Sequence, residues 1–224
     1  MNYGVKSNKY MKGAIFDMDG TLFDTEAIWQ KYWNEAAIKR GIELPENFKY
    51  EICGSTGENM YNILRKYYQT DDPYSIYDET FNNYEKEINT HIEMKEGVLE
   101  ILNYLKEKGY KLAIASSSRS ERVENNITKA NIKDYFDTYV GGEEVEYGKP
   151  HPDIFLKATS KLDLDPKDCY VFEDAYNGVN AAHSAGCNVI MVPDLMEPNE
   201  EIKSKCTVYK SLLDVIKDME TKDI

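Results

Sequence analysis

The chain is most constrained by a rhythm that is broken once. Four short apolar runs, at 13–17, 111–116, 169–174 and 188–192, are bounded by polar or acidic residues and turn signals, and Asp137–Val140 is a weaker fifth. Runs of four to six apolar residues between such signals read as strands buried on both faces, the pattern of a parallel sheet. Helical stripes lie between them. Val98, Ile101, Leu102 and Leu105 recur at three and four, with Gly109 as a stop, and Val123, Ile127 and Ala130 follow the same spacing. So do Ile154, Ala158 and Leu162, and then Val179, Ala182 and Ala185 before Gly186. Alternation of this kind predicts an α/β fold with a doubly wound parallel sheet, Rossmann-like in its winding.

The break runs from Asp24 to about Glu93, where only helical periodicity is found. Ile28, Trp29, Tyr32, Trp33, Ala36 and Ala37 form one stripe, Met60, Ile63, Leu64 and Tyr67 a second, and Phe81, Tyr84 and Ile88 a third. Some 70 residues of helix are too many for one crossover. The expectation is an all-helical domain over 24–93, inserted into a core made of 1–23 and 94–224, and hinged near Phe23–Thr25 and Ile92–Glu96. The first ten residues read as a frayed extension.

Charge narrows the function. Twenty-seven basic against forty acidic side chains leave −13 over 224 residues, a field that repels nucleic acid and anionic lipid. No run of about 18 apolar residues is present to cross a bilayer. The N-terminus lacks an apolar signal core. Four cysteines, at 53, 169, 187 and 206, have no metal-site spacing and are expected to be reduced and mostly buried. Three histidines (His91, His151, His183) form no local pair. These features predict a soluble cytoplasmic protein. They leave its oligomeric state open, with a monomer compatible.

The chemistry concentrates at the carboxyl ends of the expected strands, where open α/β sheets bind their ligands. Asp17-Met18-Asp19-Gly20-Thr21 follows the first run directly. Residues two apart in an extended segment face the same way, so Asp17 and Asp19 are expected to share one site, with Gly20 letting the chain turn away. Ser116, Lys149 and the pair Glu173-Asp174 lie at or after later strand ends. Four acids beside one lysine call for a divalent cation, and oxygen-only ligands favour Mg²⁺.

Each candidate also has a plainer reading. The two aspartates could belong to a solvated turn, Glu173-Asp174 could cap a helix, and Lys149 could be a surface lysine. Ser117, Ser118 or Ser120 could cap the following helix in place of a role for Ser116, Ser118 and Glu121 being spaced as a capping box. Trp29 lies on an apolar stripe, which suits a core residue as well as a substrate-facing wall.

The order of these motifs resembles the haloacid dehalogenase-like superfamily over nearly the whole chain. Asp-Gly-Thr-Leu-Phe-Asp at 19–24, Ala-Ser-Ser-Ser at 115–118, Gly-Lys-Pro-His-Pro-Asp-Ile-Phe at 148–155 and Phe-Glu-Asp-Ala-Tyr-Asn-Gly at 172–178 are similar to its branch with a helical cap, which includes sugar-phosphate phosphatases and β-phosphoglucomutase. The resemblance implies that Asp17 attacks phosphorus and that Asp19 serves as general acid and then base. It implies Mg²⁺ held by Asp17, the Asp19 carbonyl and Asp174, with Glu173 as a ligand or its support. Ser116, Ser117 and Lys149 would grip the phosphoryl oxygens, Thr21 would add a hydrogen bond near the nucleophile, and Asn177 would orient the acidic loop. The helical insert would act as a lid.

Two departures set the chain apart from the mutases of that branch. Trp29 stands where they carry a histidine on the first cap helix. The loop Gly54-Ser-Thr-Gly57-Glu58 has no arginine to hold a second phosphate. A phosphatase acting on small phosphorylated metabolites, sugar phosphates above all, is therefore the expected activity. A phosphoglucomutase-type transferase is the alternative, and a receiver-like phosphoacceptor or non-catalytic module a more distant one.

Overall fold

Ala14 and Phe16 point to one side of their strand and Ile15 to the other, and all three are fully buried. That double burial requires a covering layer on each face, and the fold supplies both. The computed structural model describes residues 12–53, 55, 57–90 and 92–221. The expected N-terminal extension, the loop residues Gly54 and Thr56, and His91 lie outside the described residues.

The strands are β1 (Gly13–Phe16), β2 (Lys111–Ala115), β3 (Thr138–Val140), β4 (Cys169–Glu173), β5 (Asn188–Met191) and β6 (Thr207–Val208). They form one parallel sheet in the order β3-β2-β1-β4-β5-β6. The order reverses at β1, whose Phe16 is level with Ile114 of β2 and Phe172 of β4. Ligand crevices form at such a switch point, and Asp17 begins there.

Ten α-helices are found among the described residues, besides three short 3-10 turns. Four lie between β1 and the rest of the core: α1 (Thr25–Ile38), α2 (Phe48–Ile52), α3 (Gly57–Tyr68) and α4 (Pro73–Thr90). Six wrap the sheet: α5 (Val98–Glu107), α6 (Ser120–Lys129), α7 (Asp153–Leu162), α8 (Tyr176–Ser184), α9 (Glu200–Lys203) and α10 (Leu212–Thr221). One sheet face buries Phe16, Ile114 and Phe172 against α5, α6 and α10, with Phe16 and Phe172 stacked at 4.4 Å. The other face buries Ile15, Ala113 and Val171 against α7 and α8.

The α1–α4 helices gather around their own apolar cluster, which includes Trp33, Phe48, Leu64 and Ile76. Tyr68 stitches it together by donating to the Trp33 carbonyl at 2.6 Å. The two chain segments joining this bundle to the core run side by side. Phe23 bridges Met94 in antiparallel fashion, the Asp24 amide donates to the Glu93 carbonyl at 3.0 Å, and the Lys95 amide to the Leu22 carbonyl at 3.0 Å.

The alternating core, its five expected strands and the helical break all appear. β6, α2, α9 and α10 have no counterpart in the sequence pattern: a two-residue edge strand and helices of four or five residues show no periodicity, and α10 lies beyond the last apolar run. Of the four cysteines, all unpaired, only Cys169 is fully buried. No helix among the described residues is long and apolar enough to cross a membrane.

Candidate active site

The segment after β1 leaves the sheet in a tight loop. The Leu22 and Phe23 amides both donate to the Met18 carbonyl, at 3.0 and 3.1 Å, and the Gly20 amide donates to the Phe23 carbonyl at 2.9 Å. Gly20 adopts φ +89°, a left-handed conformation that side chains disfavour. A Cβ there would also lie 2.4 Å from Asp174 Oδ2. The loop thus presses against the end of β4, and Thr21 reaches across to donate to Asp174 Oδ1 at 3.2 Å. Thr21 therefore braces Asp174, whose carboxylate lies beside that of Asp17.

Lys149 comes from the loop after β3. Its ammonium donates to Asp17 Oδ1 at 2.5 Å and to Glu173 Oε1 at 2.6 Å, and its side chain is only 7% exposed. Burial alone would lower the lysine's proton affinity; Asp17 and Glu173 outweigh it and hold the group well above its ordinary range. The surface-lysine reading is excluded by this placement.

Glu173 uses both oxygens. Oε1 takes Lys149, and Oε2 accepts the Asp174 and Ala175 amides at 3.0 and 3.1 Å, shaping the turn into α8. Gly178, in the first turn of α8, makes room for it, since a Cβ there would fall 1.6 Å from Glu173 Oε1.

Asp17, Glu173 and Asp174 each bring a carboxylate oxygen within 4.8 Å of the others. Desolvation raises the Asp17 carboxyl well above the usual range, with Lys149 opposing and Glu173 and Asp19 adding to it. Asp174 is raised in the same way, by burial first and then by Glu173 and Asp17. Three buried carboxylates against one ammonium form an electrostatic strain that a hard, oxygen-seeking cation relieves. The donor set fits a divalent cation.

Asp19 faces the same cavity but has different partners. Thr25, the first residue of α1, donates to Oδ1 at 2.9 Å, and Ser118 donates to Oδ2 at 3.0 Å. The capping-box reading of Ser118 with Glu121 is thereby corrected. Arg119 is the residue preceding α6, its own side chain makes no capping bond, and the Ser120 amide donates instead to Glu143 at 2.9 Å. Ser118 is drawn to Asp19 because its backbone, tied to Ser116 Oγ at 3.1 Å, aims the hydroxyl into the site.

A cavity of about 650 Å³ lies over these groups, roofed by the helical insert. Ser116, Ser117 and Asn177 open onto its floor. Trp29 lies on its wall, stacked on Tyr84 at 4.2 Å and on Trp33 at 5.6 Å, so it is both bundle residue and cavity surface. Glu26 also lines the cavity, its carboxyl pushed up to about 8 by burial and then by Asp19 and Asp194.

Comparison with known proteins agrees with this geometry. Residues 14–192 match the family model of the haloacid dehalogenase-like hydrolases. The chain belongs to that family. A phosphorylated carbohydrates phosphatase of Thermotoga maritima is 33% identical, over 79% of this chain and 82% of its own. A protein of Drosophila melanogaster described as a probable pseudouridine-5'-phosphatase is 31% identical, over 90% of each. Among solved structures, a β-phosphoglucomutase from Clostridium difficile covers 95% of this chain and 98% of its own with a TM-score of 0.76, at 23% identity, a likeness of fold.

In this haloacid dehalogenase-like hydrolase the structure joins Asp17, Lys149, Glu173, Asp174 and Thr21 through direct contacts or close approach. It puts Asp19, Ser116, Ser117, Asn177 and Trp29 on the same cavity. The sequence pattern gives no site role to Thr25, Arg122 or Glu26. Arg122 stands two positions into a helix whose stripe is Val123 and Ile127, so nothing local marks it. Thr25 could have been found from its place at the expected hinge.

Proposed function

We propose that this hydrolase is a Mg²⁺-dependent phosphatase of small phosphorylated metabolites, sugar phosphates foremost, acting through an aspartyl-phosphate. The carrying observation is Lys149 locked between Asp17 and Glu173 at the sheet's switch point, with Asp174 braced beside them. Asp17 Oδ attacks phosphorus in line; the P–O bond to the leaving group breaks as the new P–O bond forms. Asp19 hands its proton to the departing alkoxide, then takes one from the water that cleaves the aspartyl-phosphate. Lys149, Ser116 and Ser117 hold the phosphoryl oxygens, and Lys149 offsets the charge of Asp17.

Asp17, the Asp19 carbonyl and Asp174 would hold Mg²⁺, whose charge would neutralise the transferring group. Glu173, with both oxygens engaged, supports that set, and Asn177 steadies the loop. The domain division is core 1–23 and 94–224 with cap 24–93. The paired strands at Phe23 and Met94 are the natural hinge, so that the cap closes over substrate and excludes water. The aromatic wall at Trp29 suits the C–H faces of a sugar. The carbohydrate phosphatase among the relatives supports the substrate class, and the absence of an arginine in the 54–58 loop supports hydrolysis over transfer to a second phosphate site.

The test is a panel of phosphorylated metabolites and p-nitrophenyl phosphate with and without Mg²⁺, including β-glucose 1-phosphate with its bisphosphate primer. Phosphate release that needs Mg²⁺ and vanishes in Asp17→Asn is the expected result. Isomerised sugar phosphate without phosphate release would replace this reading with the mutase, and no turnover at all would leave a binding module.

A further inference from the structure

We infer that Arg122 is a positioning residue for Asp19, and that it couples the docking of the helical insert to proton transfer at the leaving group. The inference rests on the role given to Asp19 above.

Arg122 projects from α6 of the core. Its Nη2 lies 3.6 Å from Asp19 Oδ1, and its side chain is 19% exposed on the cavity. The same guanidinium donates to the Tyr84 hydroxyl of α4 and lies over the Tyr84 ring, with Cζ 4.5 Å from the centroid. Its Nε is 3.9 Å from Glu85 Oε1, beyond hydrogen-bond reach. Tyr84 is fully buried and stacks on Trp29 at 4.2 Å. A column Arg122–Tyr84–Trp29 therefore runs from the core helix into the inserted bundle. The guanidinium holds its position against Asp19 by leaning on residues that arrive with α1 and α4.

The consequence is electrostatic. The other two side chains holding Asp19, Thr25 and Ser118, are neutral hydroxyls. When Asp19 yields its proton to the leaving oxygen it acquires a negative charge. A guanidinium fixed 3.6 Å away in a partly dry site stabilises that charge as it forms and keeps the carboxyl aimed. Arg122 need not touch the substrate to do this. An alkoxide leaving group needs the proton, whereas p-nitrophenolate departs nearly unaided, so the two substrates separate this role from a structural one.

The experiment measures kcat and KM for the best sugar phosphate of the panel and for p-nitrophenyl phosphate in wild type, Arg122→Met, Arg122→Lys and Tyr84→Phe. A thermal melt of each variant checks folding. Arg122→Met is expected to lower kcat on the sugar phosphate about 30-fold and on p-nitrophenyl phosphate only about 3-fold, a part of the usual general-acid contribution, with KM little moved. Arg122→Lys should recover part of the difference. Tyr84→Phe, which keeps the charge but loses the anchor, should shift the ratio the same way by a smaller factor. Equal losses on both substrates would make Arg122 a structural latch and overturn the inference. If Arg122→Met fails to fold, an unchanged ratio in both remaining variants overturns it. Asp19→Asn separates the two levels: if it shows the leaving-group split and the Arg122 variants do not, only this inference falls; if it shows none, the acid role of Asp19 falls with it.

Discussion

On the core side of the cavity the acidic cluster is tied together by directional contacts. Lys149 ties Asp17 to Glu173, Glu173 ties down two backbone amides, and Thr21 braces Asp174. On the bundle side the wall is made of rings from α1 and α4: Trp29 on Trp33 and Tyr84, and Tyr77 on Phe81 at 5.6 Å. Hydrogen bonds and ion pairs weaken steeply with distance and angle, so the first wall tolerates almost no displacement. Ring stacking and apolar burial are broad and weakly directional, so the second can change shape at moderate cost. This division suits an enzyme that keeps one reaction and varies its substrates.

The comparison can be broken most sharply at Gly178. An added methyl there meets Glu173 Oε1 at 1.6 Å, on a side chain that cannot yield without releasing Lys149 and two amides. Gly178→Ala should cost about 3–5 kcal/mol by denaturant unfolding and remove most activity. A near-normal variant would show the core wall to be far softer than described. Next comes Leu64→Ala in the bundle cluster, expected to cost about 3 kcal/mol through a cavity. Hydrogen exchange should localise the loss to α1–α4. Uniform loss of protection across the sheet would mean that the two regions unfold as one.

Trp29→Ala tests the other wall. We expect kcat/KM to fall about tenfold on sugar phosphates, unevenly across the panel, and to change little on p-nitrophenyl phosphate. A uniform change on every ester would remove Trp29 from substrate selection.

The smallest effect is expected at Glu144, outside the cavity. Burial raises its carboxyl, but Lys161 at 2.8 Å, the Gly141 amide at 3.1 Å and Ser120 at 2.9 Å bring it down to about 2. A carboxyl depressed on folding adds stability above its unfolded value, and that stability is lost as pH falls toward 2. Glu144→Gln should thus cost about 1 kcal/mol at pH 7, after allowance for solvent screening, and nothing near pH 2. A cost independent of pH would point to packing.

What the linear chain determined is what depends on near neighbours. Runs such as Gly13–Phe16 and Lys111–Ala115 are apolar at both parities, which marks buried parallel strands, and the stretch 24–93 after the first, patterned only as helix, could not be one crossover. Asp17 and Asp174 were readable because they stand at the ends of such runs, where a parallel sheet exposes whatever follows each strand, and Lys149 because it lies in the Gly-Lys-Pro motif of a loop that follows another. The partners of Asp19 were decided by the tertiary structure alone. Thr25, Ser118 and Arg122 belong to the junction with the bundle, a turn and a helix face; no apolar pattern marks them, and Arg122 is held at Asp19 with the help of the Tyr84 hydroxyl and ring, which come from the distant α4. Local pattern records which face of an element is buried. It carries no record of which distant element will supply the cover, because that choice is settled by the summed contacts of the whole chain.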